Sequence, residues 1–448
     1  MSASAADRVY QELLERVGEA NPRPRIEPVR RLAELAGSPQ LSFPVIQVAG
    51  TNGKTSTSRI TESLLRAHGL RTGLFTSPHL VDFSERFQLD GVPVSPELLA
   101  AGWDELQFAL EAADAELVAE GKGKITFFEA LVVLGLVIFA DAPVHVAVLE
   151  VGMGGEWDAT NIVDAQVAVF SPIALDHTEH LGHDLQTIAR TKAKIISAGS
   201  TVVTAVQAPE ALAEIEAEAQ AHDARVFALD RDFTLTDDRL AVGGRQIDVT
   251  GITGHSYDPA FVPLFGQHQA ENATLAIGAV EAFFGADRPI PEEILDSGLA
   301  QVTSPGRLQL LGTDPIVYVD AAHNPHGAEA LVRAITESFT FSGLAVVVGV
   351  LGEKDARGLL EALAPIADQA FVTAVDSPRT FPAEELEAIA RSAMPEVPVE
   401  ALPSLPFALD RARSWAGEEN GRAVLVVGSV VLAGEAIQAA SAGKWGTA

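Results

Sequence analysis

The sequence predicts an α/β fold: a P-loop-containing domain with a mostly parallel sheet and an antiparallel appendage, followed by a smaller Rossmann-like α/β domain. Three observations predict it. The apolar run Val45-Ile46-Gln47-Val48-Ala49 turns through Gly50-Thr51-Asn52-Gly53-Lys54-Thr55 into a segment whose Ile60, Leu64, Leu65 and His68 recur at helical spacing, which reads as strand, glycine loop and helix. Strand-like apolar runs then alternate with helical segments, the pattern of a parallel sheet covered on both faces. After Thr303-Ser304-Pro305-Gly306-Arg307 the alternation restarts, dividing the 448 residues into 1–302 and 303–448.

Residues 1–42 read as helical and peripheral, with Arg23, Arg25, Arg30 and Arg31 forming a solvated basic face. Residues 74–80 read as a strand ending in a turn, and 96–120 and 127–139 as helices. The longest apolar run, 130–140, is bounded by Glu129 and Asp141. It is shorter than the ~17–25 residues that span a bilayer and reads as a buried helix. Strands follow at 145–151, 166–171 and 201–206, with a helix at 184–197 between the last two. Residues 225–265 change to short alternating runs broken by Asp237-Asp238 and Gly243-Gly244, which predicts an antiparallel meander before a helix at 268–284. In the second domain the strands are expected at 316–320, 345–350, 371–375 and 423–428.

Composition removes several classes of partner. With 61 acidic against 31 basic residues the net charge is −30, which argues against nucleic acid and anionic membranes. A pocket for anionic ligands must therefore be locally basic. The hydrophobic share of 47% allows a full core, and the absence of cysteine excludes disulfides and thiolate metal sites, as suits a reducing cytoplasm. The first eight residues are small and polar, without the apolar core of a signal peptide.

The chemistry starts at the glycine loop. Backbone N–H groups at a positive helix terminus, the amine of Lys54 and the hydroxyl of Thr55 suit phosphate oxygens and a magnesium ion, so the expected ligand is a nucleoside triphosphate. The general phosphate-loop pattern would place glycine at 48, where Val48 stands. Glu150 closes the apolar run Val146-Ala147-Val148-Leu149, where an unpaired carboxylate is costly to bury. It reads as a metal ligand at a strand end, where open α/β sheets bind ligands, or as a buried glutamate paired to lysine. Ser77 and Thr55 could add hydroxyl oxygens. Asp176-His177-Thr178-Glu179-His180, with His183 behind it, reads either as zinc-like spacing or as helix capping. Lys192 and Lys194 read as exposed helix lysines, or as groups that can serve a metal only when neutral or carbamylated. Polar motifs at 266–273, 304–307 and 320–325 stand where a cleft between the domains could close over a nucleotide.

Taken in order, these motifs resemble the folylpolyglutamate synthase/dihydrofolate synthase family of the Mur ligase superfamily. The resemblance covers Gly50 to Thr57, Ser77-Pro78-His79-Leu80, Glu150 to Gly155 with Asp158-Ala159-Thr160-Asn161, Leu175 to Glu179, Lys192-Ala193, His268 to Asn272, Pro305-Gly306-Arg307 and Asp320 to Pro325. It continues through Gly349-Val350-Leu351 with Lys354-Asp355, and Gly428-Ser429 with Gly434-Glu435. It implies that residues Gly50, Thr51, Asn52, Gly53, Lys54, Thr55 and Ser56 hold ATP, with Lys54 on the β and γ phosphates. It also implies one magnesium on Ser77 and Glu150, and a second shared by Glu150, His177 and Lys192, which can be carbamylated in this family. Asn272, Arg307, Asp320 and His323 match positions for adenine, phosphate or ribose, and Thr126, Phe128 and Asp158 look like a pterin pocket. The family departs here at Glu156, where arginine is usual, at Ala321 and Lys194, where glycine is common, and at His180, where an aromatic residue is usual.

The implied activity is an ATP-dependent amide ligase that adds L-glutamate to dihydropteroate or to the terminal glutamate of reduced folates through an acyl phosphate. A cytoplasmic monomer with small-molecule substrates is expected. The alternatives are a Mur ligase acting on a peptidoglycan precursor, for which the segment before the loop is short, and a P-loop ATPase switch, which leaves the Asn272 and His323 motifs idle.

Overall fold

The computed structural model describes residues 5–18 and 23–443. Met1 to Ser4 of the polar N-terminal stretch and the last five residues of the expected second domain lie outside the described residues.

The first sheet grows from the run that precedes the glycine loop. Its strands are β1 (Val45–Ala49), β2 (Thr72–Phe75), β3 (Phe87–Leu89), β4 (Val92–Pro93), β5 (Val146–Glu150), β6 (Val167–Phe170), β7 (Thr201–Thr204) and β8 (Arg225–Ala228). They lie in the order β4-β3-β2-β5-β1-β6-β7-β8, parallel except at the β2-β3-β4 edge. β1 and β5 are buried at every position, as the unbroken apolar runs require of central strands covered on both faces. One face is covered by α1 (Ala5–Leu14), α2 (Glu27–Leu35), α4 (Pro96–Ala119) and α5 (Phe127–Asp141). On the other lies α3 (Lys54–Ala67), with further helices described below. Helix α5 has no polar face because it is buried almost throughout its length, and a capping box between Thr126 and Glu129 starts it.

Between β6 and β8 the chain forms α6 (Thr178–Leu181), α7 (Leu185–Ala193) and α8 (Pro209–Ala221). The antiparallel appendage is a separate three-stranded sheet of β9 (Thr234–Ala241), β10 (Gly244–Thr250) and β11 (Ser256–Val262), packed against α9 (Gln267–Phe283) and α10 (Glu292–Ala300). The second sheet contains β12 (Gln309–Thr313), β13 (Ile316–Val319), β14 (Gly343–Val348), β15 (Gln369–Thr373), β16 (Val399–Leu402) and β17 (Arg422–Val427), in the order β12-β13-β17-β14-β15-β16. Only β12 runs antiparallel to its neighbour. Its helices are α11 (Pro325–Ser338), α12 (Ala356–Leu363), α13 (Ala383–Ala393), α14 (Leu405–Gly417) and α15 (Val430–Ser441). Buried Arg245 on β10 pairs with Asp238 and reaches Glu337 of α11 at 3.3 Å, tying the appendage to the second domain.

Several expectations are corrected. Residues 225–228 do not belong to the meander but pair in parallel with β7, because the chain crosses over through α8 before it turns back. The helix expected to run to residue 197 ends at Ala193. The N-terminal arginines are not all a solvated face. Arg25 donates from Nε and Nη2 to the two oxygens of Glu129, each at 2.8 Å, and caps the carbonyls of Lys122 and Lys124. Arg31 bonds Glu116 on α4 through Nε and Nη2. These pairs pin the N-terminal segment to the helices it covers.

Arg25→Ala leaves the buried Glu129 carboxylate without its cation, a change that costs ~3–5 kcal/mol for a buried pair. The urea midpoint of that variant is expected to fall well below the native one. Arg30→Ala, at an exposed position, should leave the midpoint in place.

Candidate functional site

A cavity of about 390 Å³ opens at the end of β1 and is walled by both domains. Gly50 to Ser56, Ser77, Glu150, His177, Lys192, Asn272, Arg307, Asp320 and His323 all line it. Two glycines make the loop possible. Gly50 has φ of +146° and a Cβ there would meet Ser171 Oγ at 2.0 Å, while Gly53 has φ of +85° and a Cβ there would meet Asn272 Oδ1 at 2.5 Å.

The loop divides its donors between structure and ligand. The N–H groups of Thr51 and Asn52 donate to Pro172 O at 2.9 and 3.3 Å. Thr51 Oγ1 is likewise bonded to Ala174, and Ser56 Oγ to Ser304 Oγ at 3.0 Å. Thr57 N bonds Gly53 O, so the N–H groups of Lys54, Thr55 and Ser56 precede the first helical bond and point out of the helix terminus.

Lys54 Nζ lies 3.3 Å from Gly50 O and 3.2 Å from Thr51 O. Burial pushes its amine below the ordinary lysine range, partly offset by Glu150 and Asp176. Lys192 is 4% exposed and donates to the same Gly50 O at 2.8 Å. Burial and then the charge of Lys54 bring it down to about 7. Lys192 is therefore not an exposed helix lysine. Lys194 is no second cation beside it, because its amine bonds Glu218 on α8 at 2.7 Å.

Glu150 accepts from Thr55 Oγ1 at 2.8 Å and from the backbone N–H of Ser77 at 3.3 Å, which brings three of the proposed metal-binding residues together. Burial raises its carboxyl, with Lys54 opposing. His177 stands in the left-handed region with φ of 50°. Burial and Lys354 lower it to about 3, so its imidazole is neutral, the form that ligates metals. His180 and His183 are exposed and do not line the cavity.

Asp176 is not a helix cap. Oδ1 accepts from Lys354 Nζ at 2.7 Å and from His177 N at 2.8 Å, Oδ2 accepts from Asn324 Nδ2 at 3.2 Å, and His323 Nε2 lies 3.6 Å away. Burial alone would raise this carboxyl, but His323, Lys354 and His177 together hold it well below the usual range. Asn324 also bonds Asn52 of the glycine loop, and Asn52 reaches His326 Nδ1 at 2.8 Å. The second domain is thus bonded directly to the loop.

Asn272 holds Thr57 and Gln269 beneath the loop. Asp320 spends its oxygens on the N–H groups of Leu308 and Ala322, each at 2.8 Å. Arg307 donates to Gly306 O, and His323 Nδ1 lies 3.0 Å from Ala321 O. Thr126, Phe128 and Asp158 do not line the cavity. Thr126 caps α5, and Asp158 accepts from Met153 N and from Thr160. Phe128 stands behind Gly152, where a Cβ would meet its Cζ at 2.5 Å.

Arg59, His326 and Arg333 lie outside the motifs singled out in the sequence, and His268 and Lys354 lie inside them without an assigned role, yet all but Lys354 line the cavity and Lys354 anchors Asp176 beside it. His268 is brought down to about 4 by burial and by Arg307 and Arg333. Helical spacing could have found two of them: Arg59 lies one turn beyond Thr55, and Arg333 shares a face with His326.

Residues 48–280 match the Mur ligase middle domain and residues 306–430 the glutamate ligase domain of Mur ligases. The Mycobacterium tuberculosis protein named dihydrofolate synthase/folylpolyglutamate synthase is 42% identical over 441 residues, covering 93% of this chain and 90% of its own length. A Bacillus subtilis protein of the same name is 33% identical over 366 residues, covering 81% and 84%. Among solved structures, Mycobacterium tuberculosis folylpolyglutamate synthase complexed with ADP and AMPPCP superposes with a TM-score of 0.92 at 39% identity, over 97% of this chain and 98% of that one. Escherichia coli FolC in complex with DHPP and ADP gives 0.84 at 29% identity, over 99% of each chain.

The pair Asp176–Lys354 is buried on both sides and shares partners, so its substitutions should not add. A double-mutant cycle with Asp176→Asn and Lys354→Met, read by urea unfolding, is expected to give a coupling of ~1–3 kcal/mol. Additive effects would show that the two side chains act independently.

Proposed function

Since the chain belongs to the Mur ligase family, in its folylpolyglutamate synthase/dihydrofolate synthase branch, we propose that it is an ATP-dependent carboxylate–amine ligase of folate biosynthesis and one-carbon metabolism. It joins L-glutamate to dihydropteroate, to the terminal glutamate of reduced folates, or to both. The γ-phosphoryl group passes from ATP to the acceptor carboxylate, giving ADP and an acyl phosphate. The amine of L-glutamate then attacks the acyl carbon, an amide forms, phosphate leaves and the amine gives up its proton. The observation that carries this reading is a cavity walled by both domains in which five lysines and arginines, Lys54, Arg59, Lys192, Arg307 and Arg333, stand against five carboxylates, in a chain with 31 basic and 61 acidic residues overall.

The chain's own part is to bind, align and keep out water. Lys54 and the free N–H groups after Gly53 face the phosphates, while Asn272, Arg307, Asp320 and His323 position the nucleoside end. Phe128 and Asp158, behind Gly152, serve the pterin with Thr126 at the start of α5. Contacts of Asp176 and Asn52 with the second domain favour a closed arrangement of residues 1–302 on 303–448, which protects the acyl phosphate from hydrolysis.

Thr55, Ser77, Glu150 and His177 offer hydroxyl, carboxylate and imidazole donors, and Glu150 is buried where a cation would relieve it. This set fits magnesium, which takes one or two carboxylates and completes its shell from phosphates and water. Thr55, Ser77 and Glu150 would hold one ion, and Glu150, His177 and a carbamate on Lys192 a second; such ions supply neutralising charge to the phosphates when bound. A cytoplasmic monomer acting on ATP, L-glutamate and pteroate or folate substrates completes the reading, and no helix among the described residues is long and apolar enough to cross a membrane.

Turnover of ATP, labelled L-glutamate and a panel of dihydropteroate and tetrahydrofolates tests the roles. Lys54→Ala is expected to abolish product while its circular dichroism stays native, and Glu150→Gln to weaken the magnesium dependence severely. Full activity in the first, or an unchanged magnesium titration in the second, contradicts the assignment. Lys192 tests itself through pH and carbon dioxide. Its amine, lowered to about 7, becomes neutral as pH rises through that value, and the neutral amine is the form that captures carbon dioxide with loss of a proton. Activation by bicarbonate should therefore grow from acid to alkaline pH, with a ¹³C carbamate resonance that Lys192→Gln lacks. Activity indifferent to carbon dioxide, with no such resonance, removes the carbamate.

A further inference from the structure

Among the described residues two cations of the cavity, Arg59 and Arg333, have no hydrogen bond or ion pair, and of these only Arg59 is half-buried, Arg333 being exposed. Arg59 lies on α3 one helical turn beyond Thr55, half-buried in the cavity wall, and among the described residues it has neither a hydrogen bond nor an ion pair. Three carboxylates attract its charge, Glu150, Glu85 and Glu62, but each already accepts hydrogen bonds from other groups. Glu150 holds Thr55 and Ser77. Glu85 accepts from the N–H groups of Leu80, Val81 and Asp82 at 2.8 to 3.0 Å. Glu62 accepts from Thr72 Oγ1 at 2.6 Å and Arg66 Nε at 3.1 Å. The surrounding acids make the cation tolerable without consuming its donors. Arg307 is near enough for the two positive charges to repel, and its own bond runs to the carbonyl of Gly306. Two guanidinium groups, each with five N–H donors in a fixed fork, thus face one cavity with most of their donors unused.

We propose that Arg59, with Arg307, forms a clamp for an oxyanion of the reacting substrates. The clamped group is either the γ-phosphoryl of the nucleotide or a carboxylate of the amino acid or folate. Both present the two or more oxygens that a forked donor binds in parallel. The assignment rests on the ligase reading and adds to it a binding residue on the helix that the glycine loop begins.

The test compares native protein with Arg59→Gln and Arg59→Lys. Calorimetry gives the affinities for ADP, AMPPCP and inorganic phosphate, and steady-state rates give KM and kcat for ATP, L-glutamate and the folate. A lost charge-assisted contact corresponds to a fall of ~10- to 100-fold. If AMPPCP affinity falls by that factor in Arg59→Gln while ADP affinity holds, the clamp takes the γ-phosphoryl. If both nucleotide affinities hold and KM for L-glutamate or the folate rises by that factor, it takes a carboxylate. Arg59→Lys, which keeps the charge without the fork, is expected to fall between. Affinities and kcat/KM all within about twofold of native overturn the clamp. So does an equal loss of ADP and AMPPCP binding accompanied by a lower unfolding temperature, the mark of a structural role. Should the native protein show no glutamate-dependent turnover, the ligase reading fails by itself. The clamp is then judged on AMPPCP and phosphate affinity against ADP, and unchanged values overturn it.

Discussion

The carbonyl oxygen of Gly50 accepts from two amines, buried Lys192 at 2.8 Å and half-buried Lys54 at 3.3 Å. Desolvation, and for Lys192 also the neighbouring charge of Lys54, disfavours their ionisation, and this constraint governs the site around them. It is sustained by the backbone: Gly50 adopts a φ that leaves no room for a side chain against Ser171, and the turn it permits aims its carbonyl at both amines. An anionic ligand relieves the repulsion. A triphosphate brings charge of the required sign to Lys54, and the carbamate reading converts Lys192 from a competing cation to an anion. The same physical fact, buried positive charge that Glu150 and Asp176 offset only in part, thus favours an anionic ligand and accounts for the unusual lysine.

The second constraint is that the loop is completed from far along the sequence. Asp176 gathers Lys354, Asn324 and His323 from the second domain, and Asn324 passes on to Asn52 in the loop. The second domain is therefore joined to the glycine loop through specific bonds. Family membership and the superposition with nucleotide complexes of relatives sit naturally on this geometry. The cavity wall sets five lysines and arginines, Lys54, Arg59, Lys192, Arg307 and Arg333, against five carboxylates, Glu85, Glu150, Asp176, Glu271 and Asp320, so the site is far less acidic than the protein as a whole.

What the sequence made legible follows the same physics. Central strands such as β1, β5 and β17 are buried throughout or nearly so, and show as continuous apolar runs. Edge strands do not. β12 and β16 are only partly buried, β8 begins with exposed Arg225, and β3 and β4 are two or three residues long, so none leaves an apolar run to detect. In the site, the loop and Glu150 were visible because glycine at a turn and a carboxylate at the end of an apolar strand are locally costly. The bond between Asp176 and Lys354 spans 178 residues and has no local signature. Arg25 reads as surface because its partner Glu129 lies 104 residues away in sequence.

The central claim is that ATP is cleaved only to join two other substrates. Phosphate release should be measured from native protein with ATP and magnesium, omitting in turn the pteroate or folate acceptor and L-glutamate. Sustained release is expected only when both are present, with one amide formed for each phosphate. Release at the same rate from ATP alone would contradict the ligase account and favour a P-loop ATPase switch.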